Sequence, residues 1–230
     1  MADKEIAIVE EILLELRPTR CLEWGSGYST LYFSKFIPDS AKWIAVEHDR
    51  AWQQFVVRLM NSTPVQEQRG QEGWHRVYLR GQLTKMGFAT LDRAIRIFKK
   101  RPQSGADIEI FSVPPTHFPW SDGDEDGSYA DLKDYIEFPV AFSPFDFILV
   151  DGRARKDCLV KAHTMIKETG VVILHDANRE YYHEPLEFYR YQTLFTDASL
   201  GSGGGLWVGS KGLDLKNVLD LNKHHLAWKP

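Results

Sequence analysis

Cysteine is scarce in this chain. Cys21 and Cys158 are its two thiols in 230 residues, too few for a disulfide scaffold, and that usage suits a reducing compartment. Long apolar runs are missing as well: none approaches the ~18 residues that a membrane span needs. The opening Met1-Ala2-Asp3-Lys4-Glu5 has no basic stretch leading into an apolar one. The expectation is a soluble, cytoplasmic protein without membrane contact. Positive charge is not in excess, since 28 Lys and Arg stand against 32 Asp and Glu for a net −4, which gives general nucleic-acid binding no support. Internal repeats and low-complexity linkers are absent too. A 43% hydrophobic fraction is enough for a core, and domains usually run roughly 100–200 residues. Residues 1–230 therefore read as a single domain, with the oligomeric state open, a homodimer included.

Regular structure is written most clearly at the two ends of the chain. Ile6, Val9, Leu13 and Leu16 recur at three- and four-residue spacing and predict an amphipathic helix that Pro18 stops. Arg20–Trp24 reads as a short strand, Gly25-Ser26-Gly27 as a turn, and Ser29 and Thr30 as caps of a helix through Leu31, Phe33 and Phe36. Trp43–Val46 is an apolar run ending in Glu47-His48-Asp49, followed by a helix from about Arg50 to Met60. Phe145–Val150, a helix over Lys156–Lys167, a stop at Gly170 and Val171–Leu174 repeat the alternation. Strands alternating with helices imply a parallel sheet. The tail from Leu200 to Ser210 predicts two strands around a tight glycine turn.

The middle is less legible. Trp74–Leu79 and Asp107–Val113 are competing candidates for the third strand, and Leu91–Phe98 has the spacing of a basic amphipathic helix. Pro114–Gly127 is a loop long enough to be functional. Residues from about 61 to 135 thus hold an insertion or a lid.

Two features point to a nucleoside. A glycine turn between strand and helix lets backbone approach a ligand closely, at the sheet end where open α/β folds bind ligands. Glu47, about 20 residues on, ends the next strand, where a carboxylate can accept both hydroxyl protons of a ribose. The dinucleotide fingerprint would need a third glycine where this chain has Thr30. Glu23, just ahead of the turn, would repel a pyrophosphate and favour a positively charged amino group, such as the methionyl end of S-adenosyl-L-methionine.

Cys21-Leu-Glu-Trp-Gly-Ser-Gly-Tyr-Ser-Thr30 resembles motif I of class I S-adenosylmethionine-dependent methyltransferases. Val46-Glu47-His48-Asp49, Phe145–Gly152 and Val171–Asp176 resemble the ends of their second, fourth and fifth strands. The resemblance implies a doubly wound α/β fold: a mostly parallel, seven-stranded sheet with helices on both faces. It also implies that Glu23, Gly25 and Gly27 line the methionine part of the cofactor, that Glu47 holds the ribose, and that Asp151 lies beside the sulfonium or the substrate. Trp24, Ser26, Ser29, His48 and Gly152 would complete the cofactor site.

Asp151, His175 and Asp176 stand at neighbouring strand ends, ~4.8 Å apart in a sheet, and are the catalytic candidates. Three roles stay open: a general base or orienter for a hydroxyl acceptor; Asp151 and Asp176 as ligands of Mg²⁺ or another divalent cation; or shaping of the site alone. Arg153, Arg155, Arg179 and Tyr182 are substrate candidates, because paired guanidinium bonds suit a small anionic acceptor, although pairing with local acids such as Asp157 or Glu180 is the alternative. Asp122-Gly-Asp-Glu-Asp-Gly127 begins like a calcium loop, but its twelfth position is Lys133 where a glutamate is needed. The leading expectation is methyl transfer to a small hydroxylated acceptor. The alternatives are an NAD(P)-dependent oxidoreductase on the same fold and a non-catalytic nucleoside-binding member.

Overall fold

A computed structural model describes residues 1–62, 73–75, 96–100, 106–120, 126–201 and 203–228. Helix α1 (Asp3–Leu16) turns Ile8, Val9, Ile12 and Leu13 into the core and ends at Arg17, whose φ of 47° is left-handed. Pro18 disfavours a helical residue at that position. Strand β1 (Arg20–Trp24), helix α2 (Tyr28–Phe33), strand β2 (Lys42–Glu47) and helix α3 (Arg50–Ser62) follow. Three strands come next: β3 (Gly73–His75), β4 (Arg96–Lys100) and β5 (Asp107–Ser112). Helix α4 (Tyr129–Glu137), strand β6 (Phe145–Val150), helix α5 (Arg155–Met165) and strand β7 (Ile166–His175) lead to the tail. There β8 (Tyr191–Phe195) and β9 (Leu206–Ser210) precede helix α6 (Leu221–Ala227).

The strands form one sheet in the order β3-β4-β5-β2-β1-β6-β7-β9-β8. The five from β5 to β7 are parallel, whereas β9 runs antiparallel to β7 and β8 to β9. From β1 the chain builds outward through β2 to β5, then returns to the other side of β1 with β6. The order therefore reverses between β1 and β6, and ligands of open α/β sheets bind outside the carboxyl ends at such a reversal.

Alternation along each strand separates two cores. Leu22, Trp24, Ile44, Val46, Ile148, Val150, Val172 and Leu174 face α4 and α5. Cys21, Trp43, Ala45, Phe147, Leu149, Val171 and Ile173 face α1, α3 and the C-terminal segment. Strands buried on both faces explain the continuous apolar runs, and helices cover both faces as expected. Cys158 is fully buried on α5, in a packing role. Among the described residues no helix is long and apolar enough to cross a membrane.

Several expectations need correction. The third parallel strand is Asp107–Ser112, which pairs with β2. Trp74 instead belongs to the short outer strand β3, which pairs antiparallel with β4; among the described residues these two edge strands add to the seven that were expected. Arg96–Phe98, at the end of the expected basic helix, lie in strand β4, while residues 91–95 fall outside the described set. Helix α5 stops at Met165, and the register between β6 and β7 shifts between Phe145↔Ile166 and Phe147↔Val171, so Gly170 lies within a strand irregularity. The strand before β9 is Tyr191–Phe195, with the glycine-rich stretch as a longer connection. Gly27 is the N-cap of α2; Thr30, in its first turn, does cap it by accepting the Gly27 N–H at 3.0 Å, whereas Ser29 turns to Glu23.

Candidate functional site

A cavity of about 890 Å³ opens where β1, β2 and β6 end. The turn after β1 supplies Gly25, Ser26 and Gly27, α2 supplies Ser29, the end of β2 supplies Glu47 and His48, the segment after β6 supplies Asp151, Gly152 and Arg153, and the start of α5 supplies Arg155. Arg179 also reaches the wall. Gly25 is required here for two reasons. Its φ is +89°, and a Cβ would lie 2.7 Å from the carbonyl oxygen of Asp151. The β1 turn and the end of β6 approach each other too closely for any side chain.

Glu47 fastens the turn. Its Oε2 accepts the Ser26 N–H at 2.9 Å and the Ser26 hydroxyl at 3.3 Å, and its Oε1 accepts the Asp49 N–H at 2.9 Å. An ionised carboxylate has about four acceptor positions, so Glu47 can hold this backbone and still receive a hydroxyl. Asp49 caps α3 by accepting the Ala51 and Trp52 N–H groups. Trp52 then donates its indole N–H to the Ser26 carbonyl at 2.6 Å and stays 43% exposed on the cavity wall. The sequence reading missed Trp52; the signal was an aromatic one turn past the Glu47-His48-Asp49 strand end. His48 Nδ1 is buried 2.9 Å from Glu47 Oε1 but is not aligned for a hydrogen bond.

Glu23 does not line the cavity. It is fully buried and accepts the Ser29 hydroxyl at 2.5 Å, the Thr30 hydroxyl at 2.6 Å and the Trp43 indole N–H at 2.8 Å. Burial pushes its pKa up to about 8, against the pull of those three bonds and with the Asp151 charge adding to the rise. At neutral pH it is largely uncharged and faces the core side of α2, so its expected attraction for an amino group is not present. Trp24 is a second correction: its side chain is in the core and donates to the Tyr135 carbonyl at 3.2 Å. Most of the acidic loop that begins like a calcium site, residues 121–125, lies outside the described residues. Asp126 accepts the Ala154 and Arg155 N–H groups at the start of α5, and Lys133 lies on α4.

Asp151, His175 and Asp176 do come together, but the arrangement differs from that of an open base or metal site. Asp151 Oδ1 lies 2.8 Å from His175 Nδ1. The other ring nitrogen, Nε2, lies 3.3 Å from Glu5 Oε2, on α1. Glu5 was not foreseen, although its place three, four and seven residues before Ile8, Val9 and Ile12 sets it on the buried face of the helix. Its other oxygen accepts the Gly205 N–H at 2.9 Å. Burial opposes charge on His175, but the Asp151 and Glu5 hydrogen bonds, with the charges of Asp151 and Asp176, raise its pKa to about 9. Burial likewise opposes charge on Asp151, while His175 and Arg155 hold its pKa below the ordinary value.

Arg155, a candidate for the substrate, lies at the centre of this cluster as well as on the cavity wall. Only 8% exposed, it donates from Nη1 to Asp176 Oδ2 at 2.5 Å and to the His175 carbonyl at 2.8 Å, and from Nη2 to Asp151 Oδ1 at 3.4 Å. The donor set does not suit a divalent cation. A metal-bound imidazole must be neutral, yet both nitrogens of His175 face carboxylates and the space between the two aspartates is served by a guanidinium. Asp176, at a left-handed φ of 59°, and His175 do not reach the cavity wall. Nor does Tyr182, which is fully buried under Arg155 and Arg179, its hydroxyl accepting from Arg179 at 3.0 Å.

No family model matches the sequence, and no curated protein matches it. Solved structures do. A methyltransferase-like protein from Silicibacter pomeroyi superposes with a TM-score of 0.55 at 19% identity, over 100% of this chain and 96% of its own. An O-methyltransferase from Bacillus cereus, in complex with S-adenosylhomocysteine, gives 0.54 at 13%, over 92% and 82%. Spermidine synthase from Thermotoga maritima gives 0.53 at 16%, over 99% and 70%. With the strand order of the sheet, these likenesses establish that the chain has the class I S-adenosylmethionine-dependent methyltransferase fold.

Proposed function

We propose that the chain binds S-adenosylmethionine in the 890 Å³ cavity and transfers its methyl group to an oxygen of a small anionic acceptor. The carrying observation is the Glu47 carboxylate at the end of β2, bonded at 2.9 Å to the Ser26 N–H of the glycine turn. It joins a ribose acceptor to a close-approach turn at the point where strand order reverses. Gly25, Ser26, Gly27, Ser29 and Gly152 line the methionyl side, and Glu47, His48 and Trp52 the nucleoside side. The donor supplies an electrophilic methyl on a positively charged sulfur. Asp151 reaches the same wall and is kept ionised by His175 and Arg155, so it can balance that positive charge.

His175 is not assigned as general base, since both of its nitrogens already face carboxylates. The cations Lys35, Arg153 and Arg179 on the wall favour an acceptor that carries negative charge. An acceptor oxygen that arrives ionised needs no proton removed.

The oxidoreductase alternative regains some ground, because Glu23 does not face the cavity to repel a pyrophosphate; the strand order still favours methyl transfer. Incubation with donor carrying a labelled methyl, against matched carboxylic acids, phenols and aliphatic alcohols, tests the reading. Label should move to the carboxylic acids in preference to the phenols and alcohols, whose oxygens are protonated near neutral pH. Transfer to none of them, with NAD reduced in the presence of an alcohol, would overturn it.

A further inference from the structure

We propose that Arg155 is a built-in cation of the strand-end cluster and that this chain binds no divalent ion between Asp151 and Asp176. The guanidinium spans the two aspartates. It reaches Asp176 Oδ2 at 2.5 Å and Asp151 Oδ1 at 3.4 Å, and a third bond to the His175 carbonyl at 2.8 Å fixes its plane. Its Nε donates to the Gly152 carbonyl at 3.0 Å, so the side chain is tied at both ends of the fork. The backbone makes the same arrangement. The Arg155 N–H donates to Asp126 Oδ2 at 3.0 Å, and Asp126 also receives the Ala154 N–H through its carbonyl, which sets the start of α5 directly over the strand ends.

The imidazole that would be the third ligand is withdrawn. Asp151 takes its Nδ1, and Glu5 holds its Nε2 from the opposite side at 3.3 Å. Glu5 is itself anchored by the Ala2 and Gly205 N–H groups at 2.6 and 2.9 Å. Helix α1 thus closes the cluster with a carboxylate and leaves no ring lone pair for a metal. A planar fork is the side chain best matched to bridging carboxylates, and a buried guanidinium there cannot share the space with a doubly charged ion. The inference stands on these contacts and is independent of which acceptor the enzyme uses.

Mn²⁺ is the probe. With the wild-type chain, Mn²⁺ should leave the NMR signals of the His175 ring unbroadened, and EDTA should leave the melting temperature unchanged. Arg155→Met should gain Mn²⁺ affinity by at least ~10-fold, and adding Asp176→Asn should remove the gain. Broadening of His175 in the wild type that Asp176→Asn abolishes would overturn the proposal, and this arm needs no Arg155 variant to fold. A folded Arg155→Met protein that binds Mn²⁺ no better than wild type would overturn it too. Titration of S-adenosylhomocysteine into the same wild-type sample reads the donor assignment separately, so failure of one claim is distinguishable from failure of the other.

Discussion

Glu5 and His175 are 170 residues apart in sequence, and their carboxylate oxygen and Nε2 meet at 3.3 Å. That contact ties the first helix to the end of β7 and places the imidazole between two carboxylates, with Asp151 on the other side at 2.8 Å. Glu5→Gln should therefore bring the His175 pKa down from about 9 toward its ordinary 6.5. Removing one partner of a buried charged pair should also cost about 3–5 kcal/mol of stability near neutral pH. NMR titration of the ring and urea unfolding read both effects; an unchanged His175 titration would contradict the contact.

The same cluster sets a pH window for stability. His175 is raised from 6.5 to about 9 in the fold, so the stability it adds is complete below 6.5 and is lost as pH rises through about 9. That difference corresponds to on the order of 3 kcal/mol. Glu5 and Asp151 are lowered from 4.5 and 3.8, so their contribution is present above those values and is lost as pH falls below them. In a Glu23→Gln background, which removes that residue's own titration, urea unfolding across pH should show a plateau between the acid and alkaline losses. Stability that still climbs above pH 9 would be inconsistent with a charged His175.

Glu23 gives an opposite test. Its pKa is raised from 4.5 to about 8 by burial, so the fold favours the neutral form and stability falls as pH rises between those values. Glu23→Gln keeps the shape and stays neutral. The variant should gain stability over wild type as pH rises toward 8 and lose the advantage near pH 4. Equal destabilisation at both ends would show that Glu23 is held as a carboxylate.

At Gly25 the left-handed φ of +89° and the 2.7 Å approach to the Asp151 carbonyl act together. Gly25→Ala should cost about 1–2 kcal/mol from the backbone conformation alone, with more from the displaced strand end. It should weaken S-adenosylhomocysteine binding more than Gly203→Ala, whose added Cβ meets nothing within 4 Å. Calorimetry on both variants makes the comparison, and equal binding would contradict the close approach.

Strands β1, β2, β6 and β7 of the parallel centre were legible because short strands rich in apolar residues run up to a glycine or an acidic or histidine residue at the ligand end. Trp24, Glu47, Val150 and His175 end their strands within a residue or so of where the sequence placed them. The β5 edge was not legible. Gly73–His75 pairs antiparallel with Arg96–Lys100, more than twenty residues away, and the Leu91–Phe98 run carries helical spacing. Tertiary pairing there overrides local periodicity.

Within the site, glycines and Glu47 could be placed because their role depends on position at a strand end. Glu23 could not be placed from charge alone. It shares a strand face with Cys21, and the partners that close on it come from α2 and β2. Arg155 reads in sequence as a surface arginine near a site, and only packing shows Asp176 and Asp151 closing on it.

Calorimetric titration of the full chain with S-adenosylhomocysteine, repeated with Glu47→Ala and with NAD as competitor, tests the donor assignment most directly. Stoichiometric binding to the wild type, marked weakening in Glu47→Ala, and no competition from NAD are expected. Binding and thermal stabilisation by NAD with none by S-adenosylhomocysteine would contradict it.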